Sequence, residues 1–349
     1  FRFANLKGPV RFELIDEVYN LSITTAFIFK NTQASATNAL TIQAASGVTP
    51  TITSSSSTGV IRINGADYIT INGGISNDIS MVNTNATPYG IYIDSLTTGC
   101  ITDGSHHITI KNCNFTGSST TTGSGIYING NGMINLDIEN NNFAKFGFGI
   151  NQTGGNNTSA SNNVYKNNII GSETNSDYVG VCGIYISSLN MAEISGNVIK
   201  NIKSTSSTNN GPTGIYLYYA KNINVFNNFI SGVEYTSTSN YGGKGLNLIL
   251  NDLINVFNNV IANIGGKGSS TIANGISGIY SSSTNSNFYF NTIALTGNYN
   301  SYATANICAA IFNAGNGCNF VNNILFNKIQ PTTNSTAKSY SFYSSVTGA

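Results

Sequence analysis

Gly214-Ile215-Tyr216-Leu217 is followed by Val225-Phe226-Asn227-Asn228, and the first Asn of the second phrase lies thirteen residues after the Gly of the first. The first phrase, in close variants, starts also at Gly183, Gly245 and Gly278, so that the four glycines are spaced 31, 31 and 33 residues apart. From these three the thirteen-residue step leads to Gly196, Asn258 and Asn291. Upstream, the first phrase returns as Gly90-Ile91-Tyr92-Ile93, Gly125-Ile126-Tyr127-Ile128 and Gly149-Ile150. The second returns as Ile138-Glu139-Asn140-Asn141, Tyr165-Lys166-Asn167-Asn168, Val256-Phe257-Asn258-Asn259 and Phe320-Val321-Asn322-Asn323. A fixed period of this size marks a stacked repeat. Helical repeats share the period, but these segments alternate with period two, are rich in Ile, Val, Tyr and Phe, and end in Gly, Asn and Ser clusters. Short strands joined by turns at this period predict an all-β, single-stranded right-handed parallel β-helix. Roughly ten or eleven coils at about 4.8 Å each give a solenoid roughly 50 Å long.

The turn chemistry points the same way. Aligning the coils puts Cys113, Asn141, Asn168, Asn197, Asn228, Asn259, Thr292 and Asn323 in one column. Asn accepts left-handed backbone angles and bonds nearby main chain, which suits a tight bend. Identical amides stacked one coil apart also bond to each other along the axis. A buried Asn without such a partner costs about 1–3 kcal/mol, so the expectation is a structural Asn ladder that tolerates Thr at one rung.

Composition narrows the function. Hydrophobic residues make up 40% of the 349 and charged residues 8%, against roughly 25% charged in an average soluble protein. The net charge of +1 offers no basic face for nucleic acid or an anionic membrane, and no apolar run is long enough to insert in a bilayer. Phe1-Arg2-Phe3-Ala4-Asn5 lacks a signal-peptide pattern, so a mature form or an excerpt of a longer precursor is expected. The five cysteines (Cys100, Cys113, Cys182, Cys308 and Cys318) show no metal spacing, and no metal or cofactor is expected. Cys308 with Cys318, and Cys100 with Cys113, are the pairs open to disulfide formation; burial as small hydrophobes is the other reading.

The Asn-Asn turns and Gly-Ile-Tyr-Ile strands, from about Gly90 to Leu325, resemble the pectin-lyase-like β-helix superfamily. Gly8-Pro9-Val10-Arg11-Phe12-Glu13-Leu14, Leu40-Thr41-Ile42-Gln43 and Gly65-Ala66-Asp67-Tyr68-Ile69-Thr70-Ile71 are similar to β-helical segments of large secreted surface proteins of Bacteroidetes-type bacteria. The resemblance implies one β-helical domain over residues 1–349, with less regular coils at 1–89, regular coils at 90–325 and a terminal segment at 326–349. It implies no single activity, because the superfamily holds lyases, hydrolases, epimerases, adhesins and tailspikes.

Glycoside cleavage needs two carboxyl groups about 5–9.5 Å apart, and lyase chemistry needs a base beside a neutralised carboxylate. The chain offers little of either. Asp137, Glu139 and Glu193 are the densest carboxylates, with Asp137 and Glu193 in one outward column two coils apart. His107, in Gly104-Ser105-His106-His107, has no carboxylate partner following it and reads as a turn cap. No catalytic constellation is recognised beyond the candidates Asp137, Glu193 and His107.

The outer faces say more. Period-two alternation turns Ile91 and Ile93 inward and Tyr92 outward, and the same logic exposes Tyr127, Tyr185, Tyr216 and Tyr280, interrupted by Asn151 and Asn247. A second outward column holds Phe226, Phe257 and Phe290 beside Lys111, Glu139, Lys166 and Ser195. Such stripes either stabilise a sheet face or contact a ligand or another chain. Both Phe1-Arg2-Phe3 and Lys338-Ser339-Tyr340-Ser341-Phe342-Tyr343 read as β-forming pieces without a helical cap. The expectation is therefore an extracellular or cell-surface rod with a structural or adhesive role, self-associating end to end or laterally into a filament, or meeting a cell-surface glycan. The alternative is a polysaccharide-active lyase or hydrolase, or a glycan-binding module, on the same fold. Asn114-Phe115-Thr116, Asn334-Ser335-Thr336 and the loops Ser118 to Thr122 and Ser204 to Asn210 are candidate glycosylation sites.

Overall fold

The computed structural model describes residues 5–98, 101–154, 161–174, 176–205, 211–237, 241–269, 271–296, 298–299, 307–331 and 337–346. Phe1-Arg2-Phe3, Cys100, Asn334-Ser335-Thr336 and most of the Ser204 to Asn210 loop lie outside the described residues. The chain forms a right-handed parallel β-helix of eleven coils, with three parallel sheets of eleven strands each. One coil shows the pattern. Asn190–Ser195 lies in sheet 1, Val198–Ser204 in sheet 2 and Thr213–Tyr218 in sheet 3, and each pairs in register with its counterpart one coil later: Lys221–Phe226, Phe229–Tyr235 and Lys244–Ile249. The first coil is Val10–Leu14, Val18–Asn20 and Ala26–Phe29, so the segments before Gly90 stack in the same three sheets as the rest. Among the described residues the only helical turn is Ile272–Asn274.

Alternation sends every second side chain into the bore, where like stacks on like. On sheet 1 the inward file runs Ile71, Ile110, Ile138, Tyr165, Ile194, Val225, Val256, Phe288, and all of these are buried. Phe115 lies parallel to Phe143 at 5.0 Å, and Phe288 parallel to Phe320 at 4.8 Å, close to the coil spacing. β-Branched and aromatic residues dominate because each must fill one pleated layer and touch its copy above and below. The glycine that opens each sheet-3 strand has a packing cause. A Cβ on Gly183, Gly214 or Gly245 would lie 2.7, 2.5 or 2.5 Å from Ile199, Ile230 or Ile261, the sheet-2 core residue facing it.

The Asn ladder is continuous, and it corrects one rung of the sequence alignment. Asn141, Asn168, Asn197, Asn228, Asn259, Asn291 and Asn323 occupy the column, each Nδ2 donating to the next Oδ1 at 2.9–3.2 Å. Cys113 heads the file by donating its backbone N–H to Asn141 Oδ1 at 3.1 Å. Thr292 is not a rung; it lies in the next strand, paired with Val260 and Ile324. The cause is that Asn287 follows Ser277 by ten residues, whereas their register partners Asn255 and Asn224 follow Lys244 and Thr213 by eleven, which shifts the coil by one. The same slip moves Phe290. Tyr289, not Phe290, follows Phe226 and Phe257 in the outward column. Phe290 instead takes the left-handed turn position (φ 59°) filled elsewhere by Asn140, Asn167, Gly196, Asn227, Asn258 and Asn322.

Cys113, Cys182 and Cys308 are buried free thiols and Cys318 is a half-buried one, so Cys308 and Cys318 do not pair. They sit on different walls, Cys308 in the sheet-3 strand Ile307–Asn313 and Cys318 just before the sheet-1 strand Asn319–Val321. Each thiol meets a different oxygen: Cys318 Sγ lies 3.2 Å from the backbone Ser283 O, and Cys308 Sγ 3.8 Å from the side-chain Asn327 Oδ1. Connection lengths then place the functional surfaces. Sheets 1 and 2 are joined by two-residue turns such as Asn227-Asn228, whereas sheets 2 and 3 are joined by the longer segments 205–212, 236–243 and 266–276. Gly211 of the first segment borders the outer face of sheet 3, and Ala273 of the third packs over it.

Candidate functional site

Register places the tyrosine stripe on that face. One outward file of sheet 3 reads Arg62, Tyr92, Tyr127, Asn151, Tyr185, Tyr216, Asn247, Tyr280, Phe312, Tyr343. Tyr92 meets Tyr127 edge to face at 4.9 Å, and Tyr185 meets Tyr216 the same way at 5.2 Å, arrangements that suit the ring quadrupoles. At the first coils the Arg62 guanidinium lies 5.1 Å from the Tyr92 ring centroid and is held by Asp94, which also accepts from Asn64 Nδ2 at 2.8 Å. The stripe is not open throughout, contrary to the sequence expectation. Tyr216 and Tyr280 are only 9% and 8% exposed, and Tyr280, Ala309 and Phe312 form a second apolar cluster covered by Ala273, Tyr340 and Tyr343. Alternation gives the direction of a side chain but not what folds over it, so the cover was not legible.

Between the covered end and the Arg62 end lies a cleft of about 370 Å³. Three successive strands, Phe148–Thr153, Cys182–Ser187 and Thr213–Tyr218, form its floor, with Val181 and Gly211 at its edge. Phe148, Tyr185, Tyr216 and Tyr218 line it. Phe148 faces Tyr185 at 6.1 Å and Tyr216 faces Tyr218 at 6.3 Å, both steeply inclined. Asn151 Oδ1 is a buried acceptor with no hydrogen-bond partner among the described residues. Burial raises the Tyr185 hydroxyl and the Cys182 thiol above their ordinary values, so both stay protonated and Cys182 is inert at neutral pH. Among the described residues the lining holds no carboxylate, imidazole or ammonium group. Aromatic walls with a few neutral polar groups fit binding of an uncharged, hydroxyl-bearing ligand. Just beyond it on the same face, Lys244 is wholly buried and its ammonium is pushed down to about 7 by burial. Asn247, also wholly buried between Tyr216 and Tyr280, bonds through neither side-chain polar atom among the described residues.

The carboxylate candidates lie elsewhere. Asp137, Val164 and Glu193 are successive residues of an outward file of sheet 1, so the two carboxylates stand about 10 Å apart with an apolar side chain between them. Glu139 is 3.0 Å from Lys166 and 3.9 Å from Lys111, and Ser195 Oγ donates to Glu193. Burial chiefly raises Asp137, with Lys166 opposing. All these groups stand side by side on one face of sheet 1, whereas glycosidic cleavage needs an acid and its partner flanking a bond. The sequence reading of His107 shifts by one residue. His106, not His107, has the carboxylate. Its Nδ1 lies 3.0 Å from Asp67 Oδ1, an acid 39 residues upstream and so outside any local motif, and its backbone N–H donates to the same atom at 2.9 Å. This pairing raises His106 above its ordinary value. His107 stacks on Tyr68 at 4.5 Å and takes a left-handed φ of 55°. Both histidines fix a turn.

No protein-family model matches the sequence, and no curated protein matches it. Solved structures do share its fold. The A-module of a mannuronan C-5 epimerase from Azotobacter vinelandii superposes with a TM-score of 0.53 at 13% identity, covering 95% of this chain and 91% of that one. A second A-module of such an epimerase from the same bacterium gives 0.48 at 14% identity, covering 97% and 91%. The DFA-IIIase of Arthrobacter chlorophenolicus gives 0.48 at 11% identity, covering 90% and 77%. At this identity the likeness is one of fold.

Proposed function

We propose that this chain is an adhesive β-helical rod of the cell exterior that binds a neutral glycan in the sheet-3 cleft. The observation that carries the reading is the cleft itself: Phe148, Tyr185, Tyr216 and Tyr218 around the unpartnered Asn151 Oδ1. A sugar presents an apolar C–H face to rings and hydroxyl donors to a lone carbonyl oxygen, and both are supplied here without a charge. A 370 Å³ cleft is within the range of small-ligand sites. The fold shared with a mannuronan C-5 epimerase module fits a polysaccharide partner, while the uncharged lining among the described residues favours a neutral glycan over a uronate. Calorimetric titration with neutral mono- and disaccharides, and with uronates as the contrast, tests it. Tyr185→Ala and Asn151→Leu should each weaken neutral-sugar binding at least tenfold without lowering Tm. Equal binding of uronates, or indifference to both substitutions, would reject it.

Lateral association of copies is a second reading with its own observation. Phe229, Val260, Phe290, Val321 and Ile324 are 41–66% exposed along the corner of sheets 1 and 2. Light scattering over a wide concentration range tests this, and a strictly constant mass would dismiss it.

A further inference from the structure

The outer face of sheet 1 carries a second, solvent-facing amide ladder. Glu193, Asn224, Asn255, Asn287 and Asn319 are successive residues of one outward file. Asn255 Nδ2 donates to Asn224 Oδ1, Asn287 Nδ2 to Asn255 Oδ1 and Asn319 Nδ2 to Asn287 Oδ1, each at 2.9 Å. An amide has two N–H donors and two acceptor sites on its oxygen. The internal rungs Asn255 and Asn287 use one donor and one acceptor along the axis, and the remaining N–H and lone pair of each are left for a ligand. The ladder fixes their direction in advance, so a partner loses little freedom in ordering them.

Val164, Glu193, Asn224, Asn255 and Asn287 of this file floor a groove of about 770 Å³ that spans five coils, about 19 Å at the coil spacing, and Asn319 continues the ladder beyond it. The turn residues Asn222, Leu253 and Asn285, all in left-handed backbone conformation, form its near wall. Two residues beyond the amides in the same strands stand Phe226, Phe257 and Tyr289. Their rings are parallel within 5° at 4.7 and 5.1 Å, so their faces meet one another along the axis and their edges face out. Among the described residues the only charged one lining the groove is Glu193.

We propose that this groove holds an extended, linear neutral polysaccharide running parallel to the rod axis, at a site separate from the sheet-3 cleft. The period carries the argument. Donor and acceptor repeat once per coil, about every 4.8 Å, and an extended pyranose chain advances by close to that distance per sugar. Each successive sugar therefore meets one amide, alternate sugars turning opposite edges to the file, and a linear chain keeps step with the ladder as a compact ligand or an irregular peptide would not. Charge complementarity favours a neutral chain over an acidic one, because no cation among the described residues lines the groove and Glu193 would repel an anion.

The experiment is calorimetric titration of the full chain with linear neutral hexasaccharides (cello-, manno- and xylo-oligomers) and an oligouronate of equal length. The variants are Tyr185→Ala in the sheet-3 cleft and, added to it, the ladder substitutions Asn255→Leu and Asn287→Leu. The expected result is that at least one neutral hexasaccharide still binds after Tyr185→Ala has disabled the sheet-3 cleft, and that adding the ladder substitutions weakens this remaining binding at least tenfold, with all variants melting as the parent does. Monosaccharides should not displace it. Loss of hexasaccharide binding through Tyr185→Ala alone would move the chain to the other face and overturn the proposal. So would preference for the oligouronate, or no binding of any hexasaccharide by the parent.

Discussion

Asn228→Ala and Asn255→Ala remove the same side chain from two ladders of the same period, one buried and one in water. Asn228 is 1% exposed; its Oδ1 accepts from Asn197 N at 3.0 Å and Asn197 Nδ2 at 2.9 Å, and its Nδ2 reaches Ile194 O, Phe226 O and Asn259 Oδ1 at 2.9–3.0 Å. Truncation leaves the Asn197 N–H without its side-chain acceptor, while Asn197 Nδ2 keeps Tyr165 O at 2.9 Å. One orphaned backbone donor and one weakened amide in a dry turn cost about 3 kcal/mol. Asn255 also makes two ladder bonds, but its file faces solvent and water replaces what is lost, so the change stays within about 0.5 kcal/mol. Since coils couple mainly to their neighbours, hydrogen exchange is a better assay than a global melt. Asn228→Ala should lower protection of the Asn197 amide about a hundredfold, at 1.4 kcal/mol per decade, and Asn255→Ala should leave it unchanged. Equal effects of the two substitutions, or none from Asn228→Ala, would refute the claim that burial is what makes the inner ladder stabilising.

Phe290→Asn should raise stability by about 1 kcal/mol in urea unfolding, because a bulky side chain holds the left-handed φ of 59° that Asn tolerates. Lys244 has a folded pKa lowered to about 7, so between pH 7 and about 10.4 the unfolded chain binds the extra proton and stability rises with pH; Lys244→Met should flatten that slope. His106 has the opposite sign. Its pKa is raised by Asp67, so the pair's contribution is complete below about pH 6.5 and is lost as pH climbs through the folded value. An NMR titration should find His106 above the ordinary range, and Asp67→Asn should return it there.

The coil architecture was readable because strand, turn and core each leave a period-specific mark. The inward files of Ile and Val, the left-handed Asn and the glycines facing Ile199, Ile230 and Ile261 all repeat together. A single connection shortened by one residue was enough to misplace Thr292 and Phe290, since nothing local in Phe290-Asn291-Thr292 says which residue turns. The stripe of Tyr92, Tyr127, Tyr185, Tyr216 and Tyr280 was legible as a file, but its partial burial depends on long connections whose path no periodicity encodes. The partnership of His106 with Asp67 joins neighbouring coils 39 residues apart, where only the register brings them together. The outer ladder of Asn224, Asn255, Asn287 and Asn319 did have a sequence signal: an Asn two residues before the aromatic or Val that precedes each Asn-Asn or Phe-Asn turn.

The most direct test of the account is a crystal structure of the chain soaked with a neutral disaccharide that it binds. The account predicts the sugar between Phe148, Tyr185, Tyr216 and Tyr218, with a hydroxyl donating to Asn151 Oδ1. Sugar bound only elsewhere at saturating concentration, with that cleft left to water, would contradict it.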